Sequence, residues 1–561
     1  MIALNAEDAE VRRGPQRGFE ENVMKKLKTT RVVFVLLALI ASLTMLNLVN
    51  VAVGANGERP TGQNVRITPP APIFDDKERV AELVQRRERV AESVGPQSFL
   101  ILFSTEPRVY TNDVSYPYRQ ENNLYYLTNL KQYNATLVLL PGNTKFREIL
   151  FLPRRNPLTE TWNGHMYTAE EAHRLSGIRE IWQASEFDPF IKALRNRQPY
   201  RPKPENIFMS DQPPTTTLTN DHGFHGLFDA AAKGEAGLFM LVPGQGESRE
   251  YRQEQRFASE WASTASGYSI KNAWPIFTQM RLVKSPMELR ILQHAIDISI
   301  EAHERAWAAA ADAKWEYEVD AEVAYTFKLR NADNWGYPDI VGCGPNATTL
   351  HYIESQGAVK PGELLLMDVG AEYDHYTADI TRTFPVNGKF TREQAALYQV
   401  VYDAQEAVAK ASKPGATLSD VNRAGTEVIK EGLFKLGLIT DRNSMQHRLW
   451  FMHGTSHWLG MNVHDVGGGA KFVPGVVFTN EPGIYIRPDA LDQMPFGWKA
   501  DDWEKFTKDV RPAFEKYKGI GVRIEDDMVI TADGVRWMSE ALPRKINEIE
   551  EFIAKARRST E

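Results

Sequence analysis

The chain has 561 residues, of which 42% are hydrophobic and 25% are charged, so it has the composition of a globular protein and the length for two domains. Its net charge of −7 argues against nucleic-acid binding, which usually needs a basic face. The single cysteine, Cys343, excludes an intrachain disulfide and a thiolate-rich zinc site, and we expect it to be a small buried residue.

The first segment has the pattern of an export signal. Basic residues at 24–31 precede an apolar run at 32–46 and small residues at 53–55, which is the layout of a signal peptide within residues 1–55. Apolar character continues to Val53, about the length of a membrane span, so an uncleaved anchor is the alternative. Both interpretations predict an exported protein, periplasmic or secreted. It touches a membrane through this segment only if the segment stays uncleaved.

The sequence then predicts a linker and a first domain. Residues 56–74 are rich in proline, as linkers often are. Apolar strand patterns alternate with polar turns and helical patterns between 75 and 275, which indicates a mixed α/β domain. The predicted helices cover 75–94, 169–176 and 186–195, and the predicted strands cover 98–103, 135–141 and 147–153.

A strong helix start marks the second domain. Ser285 is a good N-cap residue, Pro286 takes the first helical position, and Glu288 completes a capping box. Further helical patterns cover 318–329 and 392–411. We place this domain at 276–552 and a tail at 553–561, and the predicted fold class is α+β.

The run LLLMDVGAEYDHYTADITRTF at 364–384 predicts two apolar strands joined by a short turn. If the turn is centred on Tyr373 and Asp374, Asp368 and Asp379 face each other, with Cβ atoms roughly 5 Å apart. Like charges at such positions destabilise a sheet, and partly buried carboxylates cost more still. A pair of divalent metal ions between the acids would remove this cost.

Other motifs supply further metal-ligand candidates. His457 lies in HGTSHWLGMNVHDVGGG, Glu481 in TNEPGIYI and Glu525 in GIGVRIEDDMVIT. Each has an ordinary alternative, such as a core histidine or a salt bridge between Glu525 and Arg523. Together with the two aspartates they give four carboxylates and one imidazole, which suit two hard or borderline divalent ions. Two such ions would also deprotonate a water near neutral pH, which predicts a hydrolase.

These motifs carry a family resemblance. DVG…DITRTF, HGTSHWLGMNVHDVG, NEPGIYI and GVRIEDDMVI, in this order, resemble the pita-bread metallopeptidases, and within them aminopeptidase P (Xaa-Pro aminopeptidase). PYRQENNLYYLTNL at 117–130 resembles the N-terminal domain of the same branch. The resemblance covers about 75–552 and implies a creatinase/prolidase-type N-terminal domain followed by a pita-bread catalytic domain.

The resemblance implies a dinuclear metal site. Asp368 would bind one ion, and Asp379 and Glu525 would bridge both. His457 and Glu481 would complete the other, and Glu481 would also act as general base. The metal that the resemblance implies is manganese, which suits a carboxylate-rich ligand set.

Other side chains would act around the ions. By the same resemblance, His464 and His351 would bind the substrate carbonyl and the tetrahedral intermediate, with Tyr485 as a further candidate. His453 and Arg523 would support the ligands.

Proline recognition has its own candidates. An Xaa-Pro bond has no N–H and a restricted φ, so its site must hold a rigid ring against an apolar wall. Trp458 and Trp162 are the aromatic candidates for this wall, and core packing is the alternative for both.

The resulting prediction is a dimetal aminopeptidase that hydrolyses the first peptide bond of peptides with proline second, acting as a homo-oligomer. A prolidase, which needs a cation for the carboxylate of a dipeptide, is the nearest alternative. The long N-terminal domain disfavours methionine aminopeptidase. The five ligands disfavour a catalytically silent peptide-binding relative. The charged, tryptophan-rich segment 487–519 is longer than the usual family connection and predicts a surface excursion at the rim of the cleft.

Overall fold

A computed structural model describes residues 65–213, 223–244 and 248–558. The predicted leader at 1–55 lies outside the described residues, so it stays a prediction. In the described part of the chain, none of the helices has both the length and the apolar character that crossing a membrane requires.

A seven-stranded mixed sheet organises the N-terminal half, in the order β7-β6-β5-β4-β1-β8-β9. The central strand β1 is the apolar run SFLILF, buried along its whole length. Phe99 and Ile101 pack into one core and Leu100 and Leu102 into another, because successive side chains of a strand point to opposite faces. The strands are β1 (Ser98–Phe103), β2 (Val109–Thr111), β3 (Val114–Ser115), β4 (Thr136–Leu139), β5 (Glu148–Leu152), β6 (Ile181–Gln183), β7 (Ile207–Met209), β8 (Ala236–Met240) and β9 (Tyr268–Asn272).

Helices cover this sheet, and the three predicted ones are confirmed as α1, α4 and α5. Local capping explains the accuracy at α4, where Thr168 and Glu171 form a complete capping box. The helices of this half are α1 (Asp76–Val94), α2 (Asn122–Thr128), α3 (Pro157–Asn163), α4 (Ala169–Ser176), α5 (Phe187–Arg195), α6 (His225–Lys233), α7 (Arg252–Thr264) and α8 (Trp274–Leu282).

The second half begins with the longest described helix, which starts at the predicted cap. Ser285 and Glu288 form the capping box and Pro286 is the first helical residue. The helices predicted over 318–329 and 392–411 are confirmed as α10 and α11. The helices of this half are α9 (Pro286–Ala310), α10 (Glu316–Leu329), α11 (Arg392–Ala411), α12 (Leu418–Lys435), α13 (Ala500–Tyr517) and α14 (Ile546–Arg558).

Small antiparallel sheets form the centre of this half, in the orders β10-β13-β14, β11-β12-β15, β16-β19-β20 and β17-β18. The architecture is therefore a mixed α/β half followed by helices around small antiparallel sheets, as the sequence predicts. The strands are β10 (Asn334–Trp335), β11 (Ile340–Cys343), β12 (Leu364–Val369), β13 (Ala371–Tyr373), β14 (Tyr376–Thr377), β15 (Ile380–Pro385), β16 (Val477–Asn480), β17 (Gly483–Tyr485), β18 (Gly521–Arg523), β19 (Asp526–Ile530) and β20 (Val535–Trp537).

The hairpin that carries the two aspartates has a different register from the predicted one. Asp368 pairs with Thr381, and the turn is centred on Asp374 and His375. The prediction that Asp368 and Asp379 face each other directly is therefore wrong. Because Asp379 is two residues from Thr381, it lies diagonally from Asp368 on the same face. Both turn residues are left-handed, with φ of 51° and 69°, and the sequence lacks the Asn-Gly signal that marks such turns.

The predicted domain limits stay predictions, but several elements bear on them. Helix α8 spans the predicted boundary after residue 275. Residues 553–558, predicted as part of a tail, continue α14, and Ile553 is buried. The segment 487–519 contains α13, and Trp498, which precedes this helix, packs on its residues Trp503 and Phe506.

Candidate active site

Four acids reach one place because they lie at or beside strand ends. Asp368 is in β12, Asp379 directly precedes β15, Glu481 directly follows β16, and Glu525 joins β18 to β19. A hydrogen bond from the Glu525 N–H to the Thr381 carbonyl, at 3.0 Å, ties this junction to the aspartate hairpin. The antiparallel sheets therefore present their acids to a common space.

That space is a cavity of about 560 Å³. All five predicted metal ligands line it, and so do the predicted substrate-binding histidines His464 and His351 and the supporting residues His453 and Arg523. Distant motifs, spread over more than 170 residues from His351 to Glu525, thus form one site. None of the described residues that line it comes from the segment 487–519, so the prediction that this segment forms the cavity rim has no support.

The innermost cluster consists of Asp379, His457 and Glu525, which offer ligand atoms within 4.8 Å of one another. His457 Nε2 lies 3.3 Å from Asp379 Oδ2 and 3.4 Å from Glu481 Oε1. His457 Nδ1 donates to the Trp458 carbonyl at 3.0 Å. This bond fixes the ring with Nε2 towards the acids, the arrangement that metal-binding histidines usually have.

The acids are costly to hold together without a cation. Burial is the main cause that raises the pKa of Glu481 to about 7, and repulsion from Asp379 adds to it. Burial and the neighbouring acids also raise the pKa of Glu525 and that of Asp368. Burial alone would lower the pKa of His457, but Asp379 and Glu481 raise it to about 9. Four carboxylates and one oriented imidazole therefore fit a pair of divalent ions.

Tyr337 is a residue that the sequence analysis missed. Its hydroxyl lies 2.6 Å from Asp368 Oδ1 and 2.6 Å from Asp379 Oδ1, so it connects the two aspartates. Its surroundings, WGYPD, indicate only a turn, and neither partner is close in sequence. The apolar wall of the cavity was missed as well; beside Tyr337 it contains Pro338, Ile340, Leu350, Ile353 and Val463.

Arg523, Tyr485 and His453 form a chain of hydrogen bonds behind the acids. Arg523 Nη1 donates to the Tyr485 hydroxyl at 2.8 Å, and this hydroxyl donates to His453 Nε2 at 2.9 Å. Arg523 pairs mainly with Asp368 and lies farther from Glu525, at 3.9 Å. Tyr485 is fully buried, is not among the described residues that line the cavity, and contacts His453 and Arg523. Its predicted contact with an intermediate stays a prediction, which its burial disfavours.

The two candidate tryptophans lie elsewhere. Trp458 is 4% exposed, packs on Phe472 and donates to the Gly468 carbonyl at 2.9 Å, as a core residue does. Trp162 is 86% exposed on α3. Neither lines the cavity, whose described apolar side chains are aliphatic apart from that of Tyr337. The alternative of core packing is therefore correct for Trp458. Trp162 lies exposed on α3 and is not part of the cavity in this chain.

The fold and the acid-rich site together define a metallopeptidase, and comparisons with known proteins agree. Residues 290–532 match metallopeptidase family M24, and residues 83–201 match the aminopeptidase P N-terminal domain. The Xaa-Pro aminopeptidase of Haemophilus influenzae is 32% identical over 483 residues, which are 84% of this chain and 97% of that protein. The Xaa-Pro aminopeptidase of Escherichia coli is 32% identical over 489 residues, 85% of this chain and 98% of that protein.

A solved structure extends the likeness to three dimensions. Aminopeptidase P from E. coli with the inhibitor Pro-Leu matches with a TM-score of 0.68 and 29% identity, covering 87% of this chain and 100% of that one. The chain belongs to the aminopeptidase P family. This confirms the resemblance and the predicted fold class, an N-terminal aminopeptidase P domain before a pita-bread catalytic domain.

Proposed function

We propose that this chain is a metal-dependent Xaa-Pro aminopeptidase, which hydrolyses the first peptide bond of peptides with proline in second position. The observation that carries the proposal is the single cavity in which the five ligand candidates meet His351, His453 and His464. The relatives of this name, matched over nearly their whole length, support the same activity.

The chain's own groups account for the remaining chemistry. Asp368, Asp379, His457, Glu481 and Glu525 would hold the two ions, which supply Lewis acidity and lower the pKa of a water molecule. Glu481 takes the proton of the attacking water, because its carboxylate lies at the cavity wall against His457.

The histidines on the open side stabilise developing charge. His464 and His351 both line the cavity, so each can donate an N–H to the substrate carbonyl oxygen as it becomes negative. Burial and the nearby Arg523 lower the pKa of His453 to about 3. A neutral His453 accepts from Tyr485, which explains its supporting place in the hydrogen-bond chain.

The apolar wall favours proline next to the scissile bond. A proline ring needs no acceptor for an N–H, so aliphatic side chains can pack on it without leaving a donor unsatisfied. Ile340, Leu350 and Val463 supply such a surface beside the acids.

The charge pattern of the cavity favours longer peptides over dipeptides, the substrates of the prolidase alternative. Among the described residues that line it, Arg523 is the one arginine or lysine. Its guanidinium is already paired with Asp368, Tyr485 and Thr381. It is thus not available for the free carboxylate of an Xaa-Pro dipeptide.

We further propose manganese as the metal and export as the destination. The carboxylate-rich ligand set supports manganese, and the basic-then-apolar pattern at 24–46 supports export. Metal analysis of protein purified from cells grown with equal Mn²⁺ and Zn²⁺ tests the first point. Mass determination of the mature N-terminus tests the second, since a start near residue 56 indicates cleavage.

The function is tested by a release assay. Protein starting at residue 56 is stripped with a chelator, reloaded with Mn²⁺ and offered an Xaa-Pro-Yaa tripeptide, an Xaa-Ala-Yaa tripeptide and an Xaa-Pro dipeptide. We expect metal-dependent release of the first residue from the Xaa-Pro tripeptide alone, and none from a Glu481→Gln variant. Cleavage of the dipeptide alone means a prolidase. Cleavage of none of them, with metal bound, refutes the proposal.

A further inference from the structure

The loop that carries His464 spans residues 459–468, and we refer to it as the His464 loop. It is anchored on its C-terminal side by Asp465. Arg281 Nη2 donates to Asp465 Oδ1 at 2.6 Å, and Lys284 Nζ lies 3.4 Å from Asp465 Oδ2. Arg281 in turn donates to Asn123 Oδ1 at 2.9 Å, so this anchor already reaches the N-terminal domain.

The N-terminal side of the loop is held directly by that domain. Arg119 Nη2 donates to the Met461 carbonyl at 2.9 Å. Asn122 Nδ2 donates to Asn462 Oδ1 at 2.8 Å. Arg119 and Asn122 lie within the segment that matches the aminopeptidase P N-terminal domain. His464 is thus held on both sides. The anchors on its N-terminal side, Arg119 and Asn122, come from a domain that supplies no metal ligand candidate.

Arg119 also holds the aspartate hairpin. Its Nε lies 2.9 and 2.7 Å from the two carboxylate oxygens of Glu372, which is in β13 between Asp368 and Asp379. Its Nη1 donates to Asn122 Oδ1 at 2.9 Å. One planar guanidinium therefore connects the hairpin, the His464 loop and α2. A lysine ammonium has three donors, but they leave a single nitrogen, so it does not reproduce the planar fork whose three separate nitrogens reach these partners.

We infer that Arg119 is a positioning residue that fixes the His464 loop against the aspartate hairpin, so that the N-terminal domain sets the distance between His464 and the metal ligands. The inference rests on the proposed function for the role of His464. The ring of His464 lies edge-on to that of His457, with 4.4 Å between the centroids. A loop displacement of about 1 Å would misplace its N–H and cost up to roughly a hundredfold in rate.

A double-mutant cycle tests the inference. Arg119→Ala should lower kcat/KM by about ten- to a hundredfold, mainly through kcat, with metal content unchanged. If Arg119 acts through His464, the Arg119→Ala/His464→Ala double variant is as active as His464→Ala alone, within about twofold. Independent, multiplicative losses would overturn the inference.

A matched control distinguishes positioning of the His464 loop from a contact that only holds the two domains together. Lys131 and Asp333 form another ion pair between the two halves, at 3.0 Å, and neither touches the His464 loop. Lys131→Ala should leave kcat/KM within about twofold of the wild type. An equal loss in Lys131→Ala would mean that Arg119 only holds the domains together.

Hydrogen exchange gives a readout that needs no activity. In Arg119→Ala the amides of 459–468 should exchange roughly tenfold faster than in the wild type or Lys131→Ala, because the anchor of the loop is lost. Arg119→Lys should resemble Arg119→Ala. Should Arg119→Ala not fold, Asn122→Ala removes the second anchor and serves in its place. Unchanged loop exchange overturns the inference, whereas a wild type inactive on Xaa-Pro peptides refutes only the proposed function.

Discussion

At the scale of single residues, the site brings together buried carboxylates that repel one another, and Tyr337, an uncharged residue, lies between two of them. Burial raises the pKa of Asp368, Glu481 and Glu525, yet Arg523 is the one arginine or lysine among the described cavity residues. The Tyr337 hydroxyl satisfies part of the charge, since it contacts both aspartates. A bound cation would remove the rest of the repulsion, so metal binding should both activate and stabilise the protein.

Replacing one ligand should therefore separate metal binding from folding. Asp379→Asn keeps the shape and the contact with Tyr337 but removes the negative charge that Asp379 would offer to a divalent ion. We expect bound metal to fall and kcat/KM to drop by more than about 100-fold, beyond the loss of a residue that only supports a ligand. The free energy of unfolding of the metal-free protein should hardly change. Metal analysis and chemical denaturation measure the two effects.

The control for this variant is Asp333→Asn, which alters an exposed acid that contacts Lys131. It should keep full metal content and activity. An Asp379→Asn protein with full metal content and activity would contradict the ligand assignment.

The ligand candidates were predictable from sequence because charged residues in apolar strands are unusual. Asp368 and Glu525 stand in runs of buried residues, and that contrast is visible in the letters alone. Tyr337 carries no charge and lies 31 and 42 residues from its two partners. The roles of Trp458 and Trp162 could not be predicted from the sequence either, because an aromatic side chain packs equally well in a hydrophobic core and in the wall of a binding site.

At the scale of elements, local chemistry decided which predictions were accurate. The capping boxes at Ser285 and Thr391 start α9 and α11 at the predicted residues. The predicted register of the aspartate hairpin was wrong because Asp374 and His375 form the turn without the usual glycine. Distant residues hold this turn: Asp374 pairs with Arg79, and the His375 ring stacks on Tyr125 at 3.8 Å.

This explanation of the turn predicts an order of stabilities. Asp374→Ala loses the contacts with Arg79 and Tyr125 and also pays for a left-handed backbone. Asp374→Gly loses the same contacts but adopts φ of 51° freely. We expect the glycine variant to be more stable by about 1 kcal/mol in urea unfolding. Asp374→Asn, which keeps the hydrogen bond from Tyr125, should be the least affected. Equal stability of the alanine and glycine variants would show that the turn is not strained.

At the scale of the whole molecule, side-chain contacts join segments that are far apart in the sequence. Thr68, in the segment predicted as a linker, donates its N–H to Glu301 in α9 at 2.8 Å and its hydroxyl to the same oxygen at 2.6 Å. Arg330 reaches Glu301 from beyond α10. Since 233 residues separate Thr68 from Glu301, no local pattern could have predicted this pairing.

The pairing makes part of the stability depend on pH. Burial alone would raise the pKa of Glu301, but hydrogen bonds from Arg330, Thr68 and Arg305 lower it to about 2. An acid with a lowered pKa in the fold stabilises it fully above the unfolded value, near 4.5, and this stabilisation is lost as the pH falls towards 2. Glu301→Gln should therefore destabilise the protein at pH 7 and progressively less below pH 4.5. Urea unfolding of both proteins between pH 7 and 3 measures the difference. Glu427→Gln, at an exposed acid paired with Lys430, should show no such convergence, and a constant gap between the wild type and Glu301→Gln would contradict the role of this ion pair.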